Sequence, residues 1–346
     1  MKLRVAINGY GRIGRCILRA LYESSYYRRH IDIVAINELA DLNVVTHLTK
    51  YDTTHGRFPG TVARDERHLL IDGDKIALLS EAEPELLPWR ALDVDLVLEC
   101  SGVFKSRQDA ERHLHAGAGK VLFSHPAEAD VDATIVYGVN DHLLRATDTI
   151  VSNASCTTNA IIPVLDVLQE RFGIECALIT TIHSAMHDQP VIDAYDTDLR
   201  KTRSALQSII PVETGLARGV VRILPELKNR VHAQAIRVPT INVSMMDLSV
   251  ELEQPATRNE LNGVLRELSN KQTGRLFGYI EELLVSCDFN HDSRSSIVDS
   301  NQTQVCNHHF AKVVTWFDNE WGFANRMLDT SIAMAPGRIP LPHPNI

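Results

Sequence analysis

The chain has 346 residues, of which 44% are hydrophobic and 23% charged. That is about two domains' worth at roughly 150 residues each, and the usage excludes a disordered or fibrous protein. Its 35 basic and 44 acidic residues leave a net charge of −9, so no global field attracts nucleic acid or an anionic membrane, and any phosphate site has to be local.

The apolar runs are strand-sized, and none approaches the roughly 20 residues needed to span a bilayer. Met1 to Asn8 lead into a glycine-rich turn without the apolar stretch or cleavage site of a signal peptide. Six cysteines, Cys16, Cys100, Cys156, Cys176, Cys287 and Cys306, are scattered without C-x-x-C spacing. They read as free thiols in a reducing compartment, and the expectation is a soluble, cytoplasmic protein.

In chain order, Leu3–Asn8 predicts a strand, Ile13–Tyr22 a helix, Ile31–Asn37 a strand and Asp41–Lys50 a helix. Leu96–Cys100, Lys120–Phe123 and Thr134–Val139 are further strand candidates. Strands apolar on both faces and separated by helices indicate a parallel sheet covered on both sides. From Cys156 the pattern changes. Thr157–Phe172 reads as one helix closed by Gly173, followed by a strand over Ala177–Ile182. Ser184–Ser208 is mostly polar and without a period, and a loop of that length is usually functional. Ala233–Val238, Asn242–Glu251 and Lys312–Phe317 alternate more cleanly and point to a mixed or antiparallel second sheet. Trp321–Met334 predicts a last helix, which Pro336, Pro340, Pro342 and Pro344 cannot continue. The expected fold class is α/β: an N-terminal Rossmann-type parallel sheet over residues 1–155, then an α+β catalytic domain over residues 156–320.

Gly9-Tyr10-Gly11-Arg12-Ile13-Gly14 fits G-x-G-x-x-G between the first predicted strand and the first predicted helix. Taken alone, the pattern fits a tight turn with no ligand. Here an acid, Glu38, also ends the next strand, and the whole constellation points to a dinucleotide. Gly9, Gly11 and Gly14 let the backbone approach a pyrophosphate, the helix N-terminus offers N–H groups, and the carboxylate accepts from ribose hydroxyls. A carboxylate there repels a 2′-phosphate, which favours NAD over NADP.

Cys156 lies in Ser152-Asn153-Ala154-Ser155-Cys156-Thr157-Thr158-Asn159, just before a predicted helix. Most cysteines are small buried fillers, and the other five fit that description. Cys156 sits among polar residues where a helix N-terminus would lower its pKa from about 8.5 toward neutrality, supplying a nucleophilic thiolate. Among fifteen histidines, His183 stands out as the candidate base because it ends an apolar strand. His308-His309 and the His113/His115 pair lack companion ligands at metal spacing, so no metal site is expected.

Taken together, Asn8–Arg15, Tyr51-Asp52-Thr53-Thr54-His55-Gly56, Ser155–Asn159, Arg237-Val238-Pro239-Thr240 and Asp318-Asn319-Glu320-Trp321-Gly322 resemble the glyceraldehyde-3-phosphate dehydrogenase superfamily, in order from about residue 3 to residue 334. Asn37–Asp41, Leu122–Pro126, Ile182–Gln189 and Asn319–Phe323 look like the branch that oxidises erythrose 4-phosphate. The resemblance implies a Cys156 thiolate adding to an aldehyde, His183 as base, and a thioester resolved by water or phosphate. It implies that NAD is held by the glycine turn with Arg12, Ile13, Glu38, Ser124 and Asn319, and that Ser155, Thr157, Arg200, Thr214, Gly215 and Arg237 line a small phosphorylated aldehyde. It also implies a homotetramer, and a 321–334 helix packed back on the NAD-binding domain. Arg200, Lys201, Arg203 and Arg237 are the expected local positive charge. Met186, Glu213 and Ala82 depart from the usual family residues: the first removes a hydroxyl, the second adds a carboxylate beside the inorganic-phosphate pocket, and the third replaces an arginine that contacts the cofactor. The expected reaction is oxidation to 4-phosphoerythronate, a step feeding pyridoxal phosphate synthesis. The alternatives are a phosphorylating glyceraldehyde-3-phosphate dehydrogenase and a catalytically silent NAD-binding regulator, the latter disfavoured because binding alone needs no thiol.

Overall fold

A computed structural model describes residues 2–186, 188–271 and 275–335; the proline-rich tail from Pro336 lies outside them. The chain divides into two compact units, one comprising the chain up to Ser155 and again from Ala324, the other Cys156–Phe323.

The first unit is built on β1 (Leu3–Asn8), β2 (Ile31–Asn37), β3 (Asp74–Leu79), β4 (Leu96–Glu99), β5 (Lys120–Phe123) and β6 (Ile150–Ser152), all parallel in the order β6-β5-β4-β1-β2-β3. Val5, Ala6, Ile7, Val97, Leu98, Val121 and Leu122 are fully buried, as expected of strands covered on both faces. Trp89 and Phe123 fill one side of this core. Two antiparallel strands, Val62–Arg64 and His68–Ile71, extend the sheet beyond β3. From Ala324 on, the helix Trp321–Ala333 contributes to this unit: Tyr27 donates to the Asp329 carboxylate at 3.0 Å, and Thr330 donates to Asn153 at 2.7 Å.

The strand expected over Thr134–Val139 is not formed; only Ala133–Thr134 pairs, with β6. The Asn140 side chain takes its place, accepting from the Val136 amide at 2.7 Å and donating to the Thr134 carbonyl at 2.9 Å. Those are the groups a neighbouring strand would have bonded.

The second unit opens with the helix Cys156–Phe172 and reverses at Gly173, which adopts φ +67°. Its sheet runs in the order Ile210–Val212, Val231–Arg237, Ile174–His183, Ser244–Leu252, Phe310–Phe317, Ser296–Asp299, Phe277–Ile280. Two of its pairings are parallel and the remainder antiparallel, so the sheet is mixed. Ser244–Leu252 alternates strictly: Ser244, Met246, Leu248, Val250 and Leu252 are the buried members. No helix among the described residues is long and apolar enough to cross a membrane.

Candidate active site

In the first unit, the carboxyl ends of the parallel strands collect the residues expected to hold a dinucleotide. Gly9 follows β1 at φ +87°, and a Cβ there would lie 2.4 Å from the Ser101 backbone. A Cβ on Gly14 would lie 2.5 Å from the Gly9 carbonyl oxygen, so its absence lets the helix Arg12–Glu23 pack close against the strand end. A Cβ on Gly11 would meet nothing within 4 Å. That face of the turn is open, and Gly11 offers no side chain to the amides of the first helical turn. An open approach to a positive helix end suits a pyrophosphate.

Glu38 stands just past β2. Its Oε2 accepts from the Tyr10 amide at 2.8 Å, and its Oε1 from the amides of Leu39 and Ala40 at 2.9 and 3.2 Å. Oε2 keeps one lone pair for a ribose hydroxyl. Arg12 pairs with Asp52 at 2.5 Å, and Asp52 also accepts from the Thr54 and His55 amides at 2.9 and 3.0 Å. Burial raises the Asp52 carboxyl, but Arg12 and those amides outweigh burial and hold it at about 2. Arg12 is therefore a fixed group beside the glycine turn. Ile13 is partly exposed in the same helical turn. Ser124 follows β5, its amide donating to the Glu99 carbonyl at 3.0 Å. Its hydroxyl bonds the Cys100 thiol, which burial pushes well above the usual range.

Beneath these strand ends lies a buried polar network. Glu99 accepts from Asn8 Nδ2 at 2.6 Å, from the Ser101 amide at 2.8 Å and hydroxyl at 2.5 Å, and lies 3.1 Å from His113 Nε2. Trp89 Nε1 donates to His113 Nδ1 at 3.0 Å. An indole N–H only donates, so His113 Nδ1 is the lone-pair nitrogen and Nε2–H points to Glu99.

In the second unit, strand register assembles the chemistry. His183 is paired with Arg237 across a parallel ladder, and Ser244 is paired with Phe317, two residues before Asn319, across an antiparallel one. The helix headed by Cys156 runs 17 residues, about 26 Å, before the chain turns back along Ile174–His183, so its first turn returns to the strand end that carries His183. Cys156 is partly buried, and His183 is 5% exposed.

The thiol does not behave as the helix position suggested. Burial pushes the Cys156 thiol up to about 11, while the Thr157 amide and the Arg237 cation pull the other way without prevailing. Burial and then Arg237 hold the His183 imidazole down at about 4. Both groups are therefore neutral in the free protein at neutral pH, each within the field of Arg237, and no hydrogen bond joins them among the described residues.

His183 Nδ1 faces two incompatible neighbours. It lies 2.8 Å from the Ser184 carbonyl, which needs an N–H, and 2.7 Å from Arg237 Nη1, which needs a lone pair. With Arg237 donating, the imidazole proton sits on Nε2; with Ser184 accepting, Nε2 is free to take a proton. Asn319 Oδ1 accepts from the hydroxyls of Ser184 and Ser244, each at 3.0 Å.

The expected cationic cluster is only partly available. Lys201 pairs with Asp188 at 3.2 Å, Arg237 lies 4.0 Å from the same carboxylate, and Arg203 pairs with Asp193 at 2.9 Å. Arg200 donates to the Pro211 carbonyl at 3.4 Å, and Pro211 is paired with Ile236, the residue before Arg237. Ser155 and Thr157 flank the thiol in the chain. Thr214 Oγ1 accepts from the Leu216 amide at 3.2 Å, and Gly215 is the N-cap of Leu216–Ile223. Met186 and Glu213 are exposed.

Residues 3–107 match the model described as glyceraldehyde 3-phosphate dehydrogenase, NAD binding domain, and residues 155–319 match the model for the C-terminal domain of the same enzyme. The chain belongs to the glyceraldehyde 3-phosphate dehydrogenase family. It is an NAD-dependent dehydrogenase, and the open glycine turn with its neighbouring carboxylate fits that cofactor. Asp52, Glu99, Ser184 and Ser244 were not singled out from sequence. Asp52 could have been, since Asp followed by Thr-Thr-His-Gly signals a side chain bonding its own turn; the two serines carry no such signal.

Proposed function

We propose that this chain oxidises D-erythrose 4-phosphate to 4-phospho-D-erythronate through a thioester on Cys156 that water resolves, a step supplying pyridoxal phosphate synthesis. The observation that carries the covalent reading is the placement of His183 and Arg237 side by side at the strand end to which the Cys156 helix returns. The narrower choice of substrate and acceptor rests on residue type: Met186 offers no hydroxyl, and Glu213 places a carboxylate next to Thr214 and Gly215.

Cys156 Sγ bonds to the aldehyde carbon as its proton passes to His183 Nε2. The Cys156 backbone N–H steadies the oxyanion. NAD, when bound, supplies the acceptor for the hydride that leaves the hemithioacetal carbon. His183 Nε2 then releases the thiol proton to solvent, and water attacks the thioester carbonyl, the freed Nε2 taking the water proton and the Cys156 sulfur departing with the electron pair of the C–S bond. For His183 to act as a base, Arg237 has to leave Nδ1 so that the Ser184 carbonyl can accept Nδ1–H. A substrate phosphate provides the competing anion. Arg200 and Arg237 bind it, with Ser155, Thr157, Thr214 and Gly215 lining the remainder of the site. Glu38, Arg12, Ile13, Ser124 and the glycine turn hold the dinucleotide, and Asn319 contacts its carboxamide.

The exposed apolar side chains Val191, Ile192, Tyr195, Leu199 and Ile209 support an interface between copies of this chain, and the family resemblance suggests a homotetramer. Light scattering on the eluting protein should give four times the chain mass. Initial rates of NADH formation with erythrose 4-phosphate and with glyceraldehyde 3-phosphate, each with and without phosphate, test the reaction itself. Preference for the three-carbon aldehyde with obligatory phosphate would replace this reading by the phosphorylating one.

A further inference from the structure

Asn319 ends a short run whose every neighbour is fixed. Asp318 Oδ1 accepts from the Glu320 and Trp321 amides at 2.9 and 2.7 Å, and its Oδ2 accepts from Asn242 Nδ2 and the His291 amide at 2.8 and 2.7 Å. Asn242 and Asp318 thus tie together the same two segments that Ser244 and Asn319 join. Between Asn242 and Ser244, Val243 is held at φ +67°, a left-handed conformation that a β-branched residue adopts only when its surroundings impose it. It is 3% exposed.

The hydroxyl protons can be placed by elimination. Ser184 and Ser244 are 0% and 1% exposed. Ser244 Oγ already accepts from the Ser184 amide at 3.2 Å. The acceptor within reach of either hydroxyl among the described residues is the Asn319 amide, at 3.0 Å from both. Were that amide reversed, its NH₂ would face two hydroxyl oxygens whose own protons had nowhere to go. Both hydroxyls therefore donate to Oδ1 and fill its two lone pairs. Nδ2 is left pointing the other way, with no hydrogen bond spent on it among the described residues.

We propose that Ser184 and Ser244 are positioning residues that lock the Asn319 amide with its NH₂ outward, so that the site offers a donor to the carbonyl oxygen of the cofactor's carboxamide and no acceptor to its nitrogen. This rests on the reading of Asn319 as the carboxamide contact. Neither serine touches the cofactor in this scheme; each acts by denying Asn319 its other orientation.

The test compares NAD with 3-acetylpyridine adenine dinucleotide, whose ketone keeps the carbonyl oxygen and lacks the amide N–H. With the amide locked, both present the same acceptor. In Ser184→Ala/Ser244→Ala the amide is free to turn, and a turned Asn319 can still accept from NAD's NH₂ but has nothing to offer the ketone. The double variant should therefore lose roughly fivefold more kcat/KM with the acetylpyridine analogue than with NAD, as expected for one hydrogen bond. Ser184→Thr and Ser244→Thr, which retain the hydroxyls, should keep the wild-type ratio. A parallel fall with both cofactors, or no change in either, would overturn the lock. Asn319→Ala separates the two levels: if it leaves affinity for both cofactors unchanged, the carboxamide contact itself is wrong, whereas a large loss there with no ratio change in the serine variants sinks only the lock.

Discussion

Cys156 heads a helix, yet its thiol is held protonated at neutral pH, because burial outweighs the pull of the Thr157 amide and the Arg237 cation. The sequence shows a helix N-terminus and polar neighbours but cannot show how much water reaches the sulfur. With the thiol at about 11, the thiolate fraction rises tenfold for each unit of pH between 7 and 9. Alkylation of Cys156 by iodoacetamide in the free protein should follow that slope without a plateau, read on the Cys156 peptide by mass spectrometry because Cys176, Cys287 and Cys306 are exposed as well. A plateau near pH 6 would mean that a thiolate–imidazolium pair is already formed. Cys156→Ala should lower turnover below about 1% of wild type and leave NAD binding nearly unchanged, since in the proposed reaction the thiol forms the covalent bond while the glycine turn holds the cofactor. Arg237 at His183 Nδ1 carries a further consequence. Erythrose without its phosphate should lose kcat as well as affinity, because nothing then draws Arg237 from the imidazole. If only KM rises, Arg237 does not govern the base.

Strands buried on both faces are the most legible elements. Leu3–Asn8, Ile31–Asn37 and Lys120–Phe123 have the bounds expected from sequence, because a continuous apolar run admits little other assignment. The hairpin of His68–Ile71 and Asp74–Leu79 is not expected from sequence. Its signal is Asp72-Gly73, at φ +50° and +92°, a tight turn between two apolar runs. Thr134–Val139 has strand composition, but Asn140 bonds its backbone first. The candidate site divides the same way: its proposed motif residues are local in the chain, whereas Ser184 and Ser244 meet Asn319 only through a pairing of segments far apart in the chain. At the glycine turn, Glu38 both accepts from the Tyr10 amide and keeps a lone pair free. Glu38→Ala should therefore weaken NAD roughly tenfold, the scale of a hydrogen bond to a charged group, and improve NADP. Unchanged dissociation constants for both cofactors would remove Glu38 from the ribose.

Across the whole molecule, a net charge of −9 leaves anion binding to a few local cations, and carboxylates already engage several of those. In the proposed reaction one phosphate is covalently part of the substrate, so it would arrive with additional contacts and compete with His183 for Arg237. A second, free dianion would have to bind beside Glu213 with no such help. Coulomb repulsion from that carboxylate weakens it further, and salt screens only part of the effect at short range. Water faces no such barrier. Erythrose 4-phosphate oxidation should therefore run in phosphate-free buffer at a rate close to that with added phosphate, and phosphorus NMR should show one phosphomonoester product and no acyl phosphate. Glu213→Thr removes the charge and supplies a hydroxyl next to Thr214 and Gly215, so it should make the rate rise with phosphate concentration. If the wild-type protein already requires phosphate and releases an acyl phosphate, Glu213 does not bar the second anion and the hydrolytic reading fails.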